Sequence, residues 1–326
     1  MFRRLFLSLA TLVALGAAAP AGAQDPPPPP PEPVIQDGVR VSGVNLSGMT
    51  AAEATAALRA FFARPLELGL GRTTIVLPPA RLGTRARIAP AVARALAAPA
   101  GTALTLNVVI VHRNIRVWLK RRAKAFNRGP VSTRARLVDL RPRLTEARPG
   151  RTLLTKRAHE RIAAVLRNHR RYLLMLPVRT TKPAVTPRSH GPVVVIRRGS
   201  KRLTLYRGTR AGPMNAVATF PIATGMAAYP TPVGNFRIIT KQRNPWWYPP
   251  SAGWASGASP IPPGPGNPLG TRWMGLNVGA VGIHGTPDAA SIGYSASHGC
   301  IRMHISNSEW LFERVRVGTP VFIRSA

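Results

Sequence analysis

The stretch Ser297-His298-Gly299-Cys300-Ile301-Arg302, with Ile283-His284-Gly285-Thr286 upstream of it, holds the densest set of chemically capable side chains in this 326-residue sequence, and its only cysteine. A thiol near its free pKa is only partly ionised at neutral pH. A nucleophilic cysteine therefore needs an imidazole within hydrogen-bond reach to take its proton, and His284 and His298 meet that need. Glycine beside the cysteine lets the backbone turn, so that the amides of Gly299 and Cys300 can point at a developing oxyanion. These parts suit acyl transfer. Two other readings stand beside it on the residues alone. One is a buried, inert Cys300 flanked by ordinary strand-end histidines. The other is zinc ligation, for which the usual second Cys-x-x-Cys or His-x-x-x-His element is missing.

The far end of the chain bears on that choice. Arg3 and Arg4 precede an apolar run from Leu5 to Ala19 and an Ala21-Gly22-Ala23 cleavage pattern, which together read as a secretory signal peptide over residues 1–23. No cysteine follows it, so there is no lipoprotein-type attachment site. An exported chain with a single cysteine cannot form an internal disulfide, which leaves an intermolecular bridge or a reactive thiol. The expected location is the cell wall or periplasm.

Between these ends the texture changes twice. Residues 24–37, with the run Pro26 to Pro31, read as a Pro-rich linker. Residues 38–187 read as an α+β domain. It opens with the alternating valines of Gly38-Val39-Arg40-Val41-Ser42-Gly43-Val44. A capping box, Thr50-Ala51-Ala52-Glu53, then starts a helix that ends at Arg64-Pro65. Strands are expected at Thr73 to Leu77, Leu104 to Val111 and Leu174 to Val178, and a second helix from about Lys156 to Tyr172, with His159 and His169 on its solvated side. Residues 192–326 read as a mainly β domain. Val193 to Ile196 and Leu203 to Tyr206 form a hairpin, further strands lie at Ala216 to Ile222, Phe236 to Thr240, Val281 to His284 and Pro320 to Arg324, and a short helix covers Ser306 to Val315. The fold class is thus α+β, an N-terminal α+β domain followed by a mainly β one.

The blocks around the cysteine resemble the L,D-transpeptidase (YkuD) catalytic domain. Ser297-His298-Gly299-Cys300 with the upstream Ile283-His284-Gly285-Thr286 is similar to its active-site signature. Thr231-Pro232-Val233-Gly234-Asn235-Phe236, Ile261-Pro262-Pro263-Gly264, Asn267 to Arg272 and Gly318-Thr319-Pro320-Val321 are similar to its other segments in order and spacing. The resemblance covers about residues 192–325. It implies a peptidoglycan L,D-transpeptidase without metal or organic cofactor. Cys300 would attack the third residue of a tetrapeptide stem, release terminal D-Ala, and pass the acyl group to another stem as a 3-3 cross-link. His284 would be the base, held by the Gly285 carbonyl. His298 would shape the site, the amides of Gly299 and Cys300 would serve the oxyanion, and Ser297 and Arg302 would lie against substrate. Carbapenem acylation of Cys300 is also implied. Two features depart from the pattern: only 12 residues separate His284 from Ser297, and Arg302 stands where many members have Asn. Within residues 38–187, Gly38 to Gly43 with the Thr50 to Phe62 helix, and Pro149-Gly150-Arg151 through Leu176-Pro177-Val178, resemble the peptidoglycan-binding domain found ahead of such catalytic domains.

Two alternatives share these residues. An L,D-carboxypeptidase or endopeptidase would use water at the same thioester, and a non-catalytic wall-binding protein would keep the domain without the activity. The long segment Asn244 to Gly270 carries Trp246, Trp247, Tyr248 and Trp254 among prolines and is expected to act as a lid whose aromatic faces, those of Trp247 and Tyr248 among them, pack on a stem peptide or sugar. Charge adds a partner class. The formal net charge is +35, concentrated in residues 111–210, which hold 28 Lys and Arg against Asp139, Glu146 and Glu160. Export argues against nucleic acid and for anionic cell-wall polymers.

Overall fold

The computed structural model describes residues 32–326. The signal segment over 1–23 and most of the linker over 24–37 lie outside the described residues. These group into two units, residues 32–64 with Arg85–Val109, and Pro65–Thr84 with Ile110–Ala326, so the change of texture near residue 187 falls inside the second.

In the first unit, helix α1 (Ala51–Ala63) starts at the expected box. The Thr50 amide donates to Glu53 Oε2 at 2.9 Å, and the Glu53 amide donates to Thr50 Oγ1 at 3.3 Å. Helix α2 (Ile88–Leu96) was not legible as a periodic segment. Ala54, Leu58 and Phe62 of α1 and Ala91, Val92 and Ala95 of α2 close one core with Val39, Val41, Leu46 and Leu106. The strand expected at Leu104 to Val111 is interrupted, with Ala103–Leu104 and Val108–Ile110 as separate short strands.

The second unit begins with a three-stranded sheet of Leu173–Met175, Leu66–Leu70 and Thr73–Leu77. Helices α3 (His112–Phe126) and α4 (Thr155–Arg167) pack together, and their buried Ile115, Leu119, Phe126, Ile162 and Leu166 share one core with this sheet. Helix α4 stops five residues before the expected end. Asn168 closes it and His169 takes φ +53°, so His169 leaves the polar stripe and is 7% exposed instead of solvated.

Residues 193–324 build an eight-stranded sheet. Its strands are β1 (Val193–Arg197), β2 (Arg202–Arg207), β3 (Asn215–Pro221), β4 (Gly234–Arg243), β5 (Arg272–Leu276), β6 (Gly282–Thr286), β7 (Ile301–His304) and β8 (Pro320–Arg324), in the order β3-β2-β1-β8-β4-β5-β6-β7. The hairpin β1–β2 forms as expected, with Val193 opposite Tyr206. The β1 run Val-Val-Val-Ile does not alternate because both of its faces are covered, as fully buried strands require. Val194 and Ile196 enter the main core, while Val193 and Val195 meet Leu144, Tyr206, Met214 and Phe322. Leu144 belongs to a hairpin, Ala135–Val138 with Arg141–Leu144, that pairs with Gly212–Pro213. Helix α5 (Ile305–Arg314) follows β7 and buries Leu311 and Phe312 in the main core. Among the described residues no helix is long and apolar enough to cross a membrane.

Candidate active site

Strands β6 and β7 run parallel, with Ile283 opposite Ile301 and His284 opposite Arg302. Side chains alternate faces along a strand, so Ile283, Ile301 and Met303 enter the core while His284 and Arg302 share the other face. Cys300 immediately precedes β7. Register therefore joins two segments that sequence alone could only place near each other.

His284 is buried, and its Nδ1 lies 2.6 Å from the Gly285 carbonyl. A carbonyl can only accept, so Nδ1 carries the proton and Nε2 keeps its lone pair. Burial lowers the imidazole pKa to about 4. The Gly285 carbonyl opposes that shift, and the Arg302 guanidinium adds to it. Glycine at 285 has a packing cause as well. A Cβ there would stand 2.8 Å from Ser308 Oγ and 3.3 Å from Ile305 Cα, so its absence lets α5 close against the strand that carries His284.

Cys300 is half-buried, and its Sγ donates toward the Ala280 carbonyl at 3.6 Å. Burial pushes the thiol pKa up, while the Gly282 amide and the Arg302 guanidinium pull it partway back. The turn before it is fixed by Ser297, whose hydroxyl donates to the Cys300 carbonyl at 2.6 Å and accepts the Gly299 amide at 3.2 Å. The Gly299 amide is thus directed at the buried Ser297 oxygen. Gly299 takes φ +107°, a conformation that L side chains rarely adopt. Its carbonyl accepts from Thr231 Oγ1 at 2.9 Å, and Thr231 Oγ1 in turn accepts the Gly225 amide at 2.8 Å. Thr231, fully buried, thus ties the Thr231-Pro232 turn to the cysteine loop.

His298 contacts two rings. Trp254 stacks on it at 3.9 Å between centroids with 12° between planes, and Tyr229 lies at 5.1 Å. Burial, then Arg302, lowers its pKa. Arg302 Nη1 lies 3.3 Å from Asp288 Oδ2. Cys300, His284, Ser297, His298 and Arg302 all border a cleft of about 600 Å³ that Trp246, Trp247, Tyr248 and Trp254 also line. Trp247 acts partly as a pin, since its amide and carbonyl pair with Ile261 at 2.9 Å each way.

Trp273 was not singled out from the sequence. It sits opposite His284 in the β5–β6 register, with ring centroids 5.8 Å apart. A Cβ on Gly282 would run into its indole, and one on Gly275 would stand 3.0 Å from its Nε1. The signal was present as a tryptophan two residues from one glycine and paired near another. Among the described residues no group of three or more His, Cys, Asp or Glu side chains gathers as a metal site would require.

The family description of the YkuD L,D-transpeptidase catalytic domain matches residues 191–323. A candidate L,D-transpeptidase, YkuD of Bacillus subtilis, is 38% identical over 125 residues, which is 38% of this chain and 61% of that protein. The match thus spans less than two thirds of that relative. A candidate L,D-transpeptidase YkuD of Bacillus licheniformis is 32% identical over 190 residues, 55% of this chain and 96% of the relative. Among solved structures, L,D-transpeptidase 3 from Mycobacterium tuberculosis in complex with a faropenem-derived adduct is 21% identical, covering 45% of this chain and 67% of that one at a TM-score of 0.34.

Proposed function

The chain belongs to the L,D-transpeptidase family, and from that membership we propose that it cross-links peptidoglycan outside the cytoplasm through a thioester on Cys300. The observation that carries the mechanism is the bond from His284 Nδ1 to the Gly285 carbonyl, which leaves Nε2 as an unprotonated base on the face it shares with Arg302.

The resting pair is a neutral thiol and a neutral imidazole, because burial raises one pKa and lowers the other. Proton transfer therefore accompanies attack. The Cys300 proton passes to His284 Nε2 as sulfur bonds to the carbonyl carbon of the third stem residue. When the tetrahedral adduct collapses, the bond to the terminal D-Ala nitrogen breaks and His284 returns the proton to the leaving amine. A side-chain amine of a second stem then gives a proton to His284 and attacks the thioester. The Cys300 thiolate leaves and recovers that proton, and a 3-3 cross-link has formed. Arg302, lowering the thiol pKa, favours the sulfur anion as it departs. A carbapenem would be opened by the same thiol, giving one covalent adduct on Cys300.

Purified protein incubated with a disaccharide-tetrapeptide should yield cross-linked dimers by mass spectrometry, with none from Cys300→Ala. Tripeptide without dimers would replace the transfer to an amine by hydrolysis. Dimer formation by Cys300→Ala would overturn the mechanism.

A further inference from the structure

The segment after β4 carries its aromatics in an unusual disposition. Trp246 and Tyr248 are two residues apart, as same-side positions of an extended chain are. Their rings stack, 6.3 Å between centroids and 22° between planes, and they are 49% and 66% exposed. Both line the cleft that holds Cys300 and His284. Between them, Trp247 is half-buried and bonded through its backbone to Ile261.

This segment is held from beneath. Asn267 has no exposed surface, and its Nδ2 donates to the carbonyls of Pro245 at 2.9 Å, Ile261 at 3.2 Å and Pro262 at 3.1 Å, while its Oδ1 accepts the Leu269 amide at 2.9 Å. Every polar atom of a buried amide is thereby used to fix the backbone on either side of the exposed rings. Two large aromatics kept in water on a clamped backbone form a preorganised surface that costs free energy until something covers it.

We propose that Trp246 and Tyr248 form a stacking platform for a pyranose ring, so that the preferred donor is a stem still attached to its amino sugar. The proposal rests on the peptidoglycan reading above. A pyranose presents one face of C–H groups made electropositive by the ring oxygens, and that face complements the negative π-face of an aromatic ring. A stem of D-Ala, an acidic residue and a diamino acid has no comparable flat face. Gln242, exposed at the same cleft, supplies an amide of the kind that pairs with hydroxyl or acetamido groups.

The test compares kcat/KM for a disaccharide-tetrapeptide donor with that for the free tetrapeptide, in the wild type, in W246A/Y248A and in W246F. The wild type should favour the sugar-bearing donor by about tenfold, the factor that about 1.4 kcal/mol of stacking gives. That ratio should fall to near one in W246A/Y248A and return in W246F. A loop that matters only for folding would lower both values together and leave the ratio unchanged, which would overturn the proposal. So would a ratio near one in the wild type. Turnover of neither donor by the wild type would instead sink the transpeptidase reading.

Discussion

His284 has the environment of a core residue and, in the proposed mechanism, the role of a base, and the two have one consequence for pH. An ordinary imidazole gains its proton near 6.5, whereas burial holds this one to about 4. His284 therefore stays neutral, and competent to take the thiol proton, through the mildly acidic range. The acid limb of kcat/KM, which reports the free enzyme's essential base, should fall well below pH 6. Arg302 contributes to the lowering, so Arg302→Met should move that limb to higher pH, whatever it does to the plateau. A limb at 6.5 in the wild type would count against His284 as the base. The histidines and the cysteine were legible because their side chains are chemically rare. The tie from Thr231 to the Gly299 carbonyl and the cover of Trp273 over Gly282 were not, because only the folded chain brings those partners together.

Elements were legible where one local pattern decided them and lost where packing did. The capping box and the β1–β2 hairpin follow from short-range chemistry and stand where expected. Helix α3 was missed because its buried stripe of Ile115, Leu119 and Phe126 is thin against a run of Arg and Lys. Strand β5 was missed because Arg-Trp-Met-Gly-Leu does not alternate, with Met274, Gly275 and Leu276 all buried. A tie between elements makes a further prediction. Lys241 of β4 donates through Nζ to the carbonyls of Phe312 at 2.6 Å and Val315 at 2.7 Å, at the C-terminal end of α5, with the Phe312 ring 4.0 Å away. It holds the helix that closes against Gly285, satisfying carbonyls a helix end leaves open. Lys241→Met should lower stability by about 1–3 kcal/mol, visible as a reduced denaturation midpoint. An unchanged midpoint would show that water replaces the lysine at no cost.

At the scale of the whole molecule, the abrupt change of sequence texture near residue 190 is not a break in packing. The hairpin over 135–144 pairs with Gly212–Pro213, and Leu144 fills the face of the eight-stranded sheet formed by Val193, Val195, Tyr206, Met214 and Phe322. A protein beginning at residue 192 should therefore be less stable and more prone to aggregate than one beginning at residue 130, since it exposes that apolar face. Equal midpoints and equal solubility would show the hairpin to be dispensable. The net charge belongs to this scale too, and it was legible from composition alone. The sheet order was not, since β8 pairs with β1 and β4, far from it in the chain. That order has a mechanical meaning. β8 is the one seam between two ribbons of the sheet, β3-β2-β1 and β4-β5-β6-β7. Within the sheet, its pairings with β1 and β4 are therefore what fastens the half bearing His284 to the half bearing the β1–β2 hairpin.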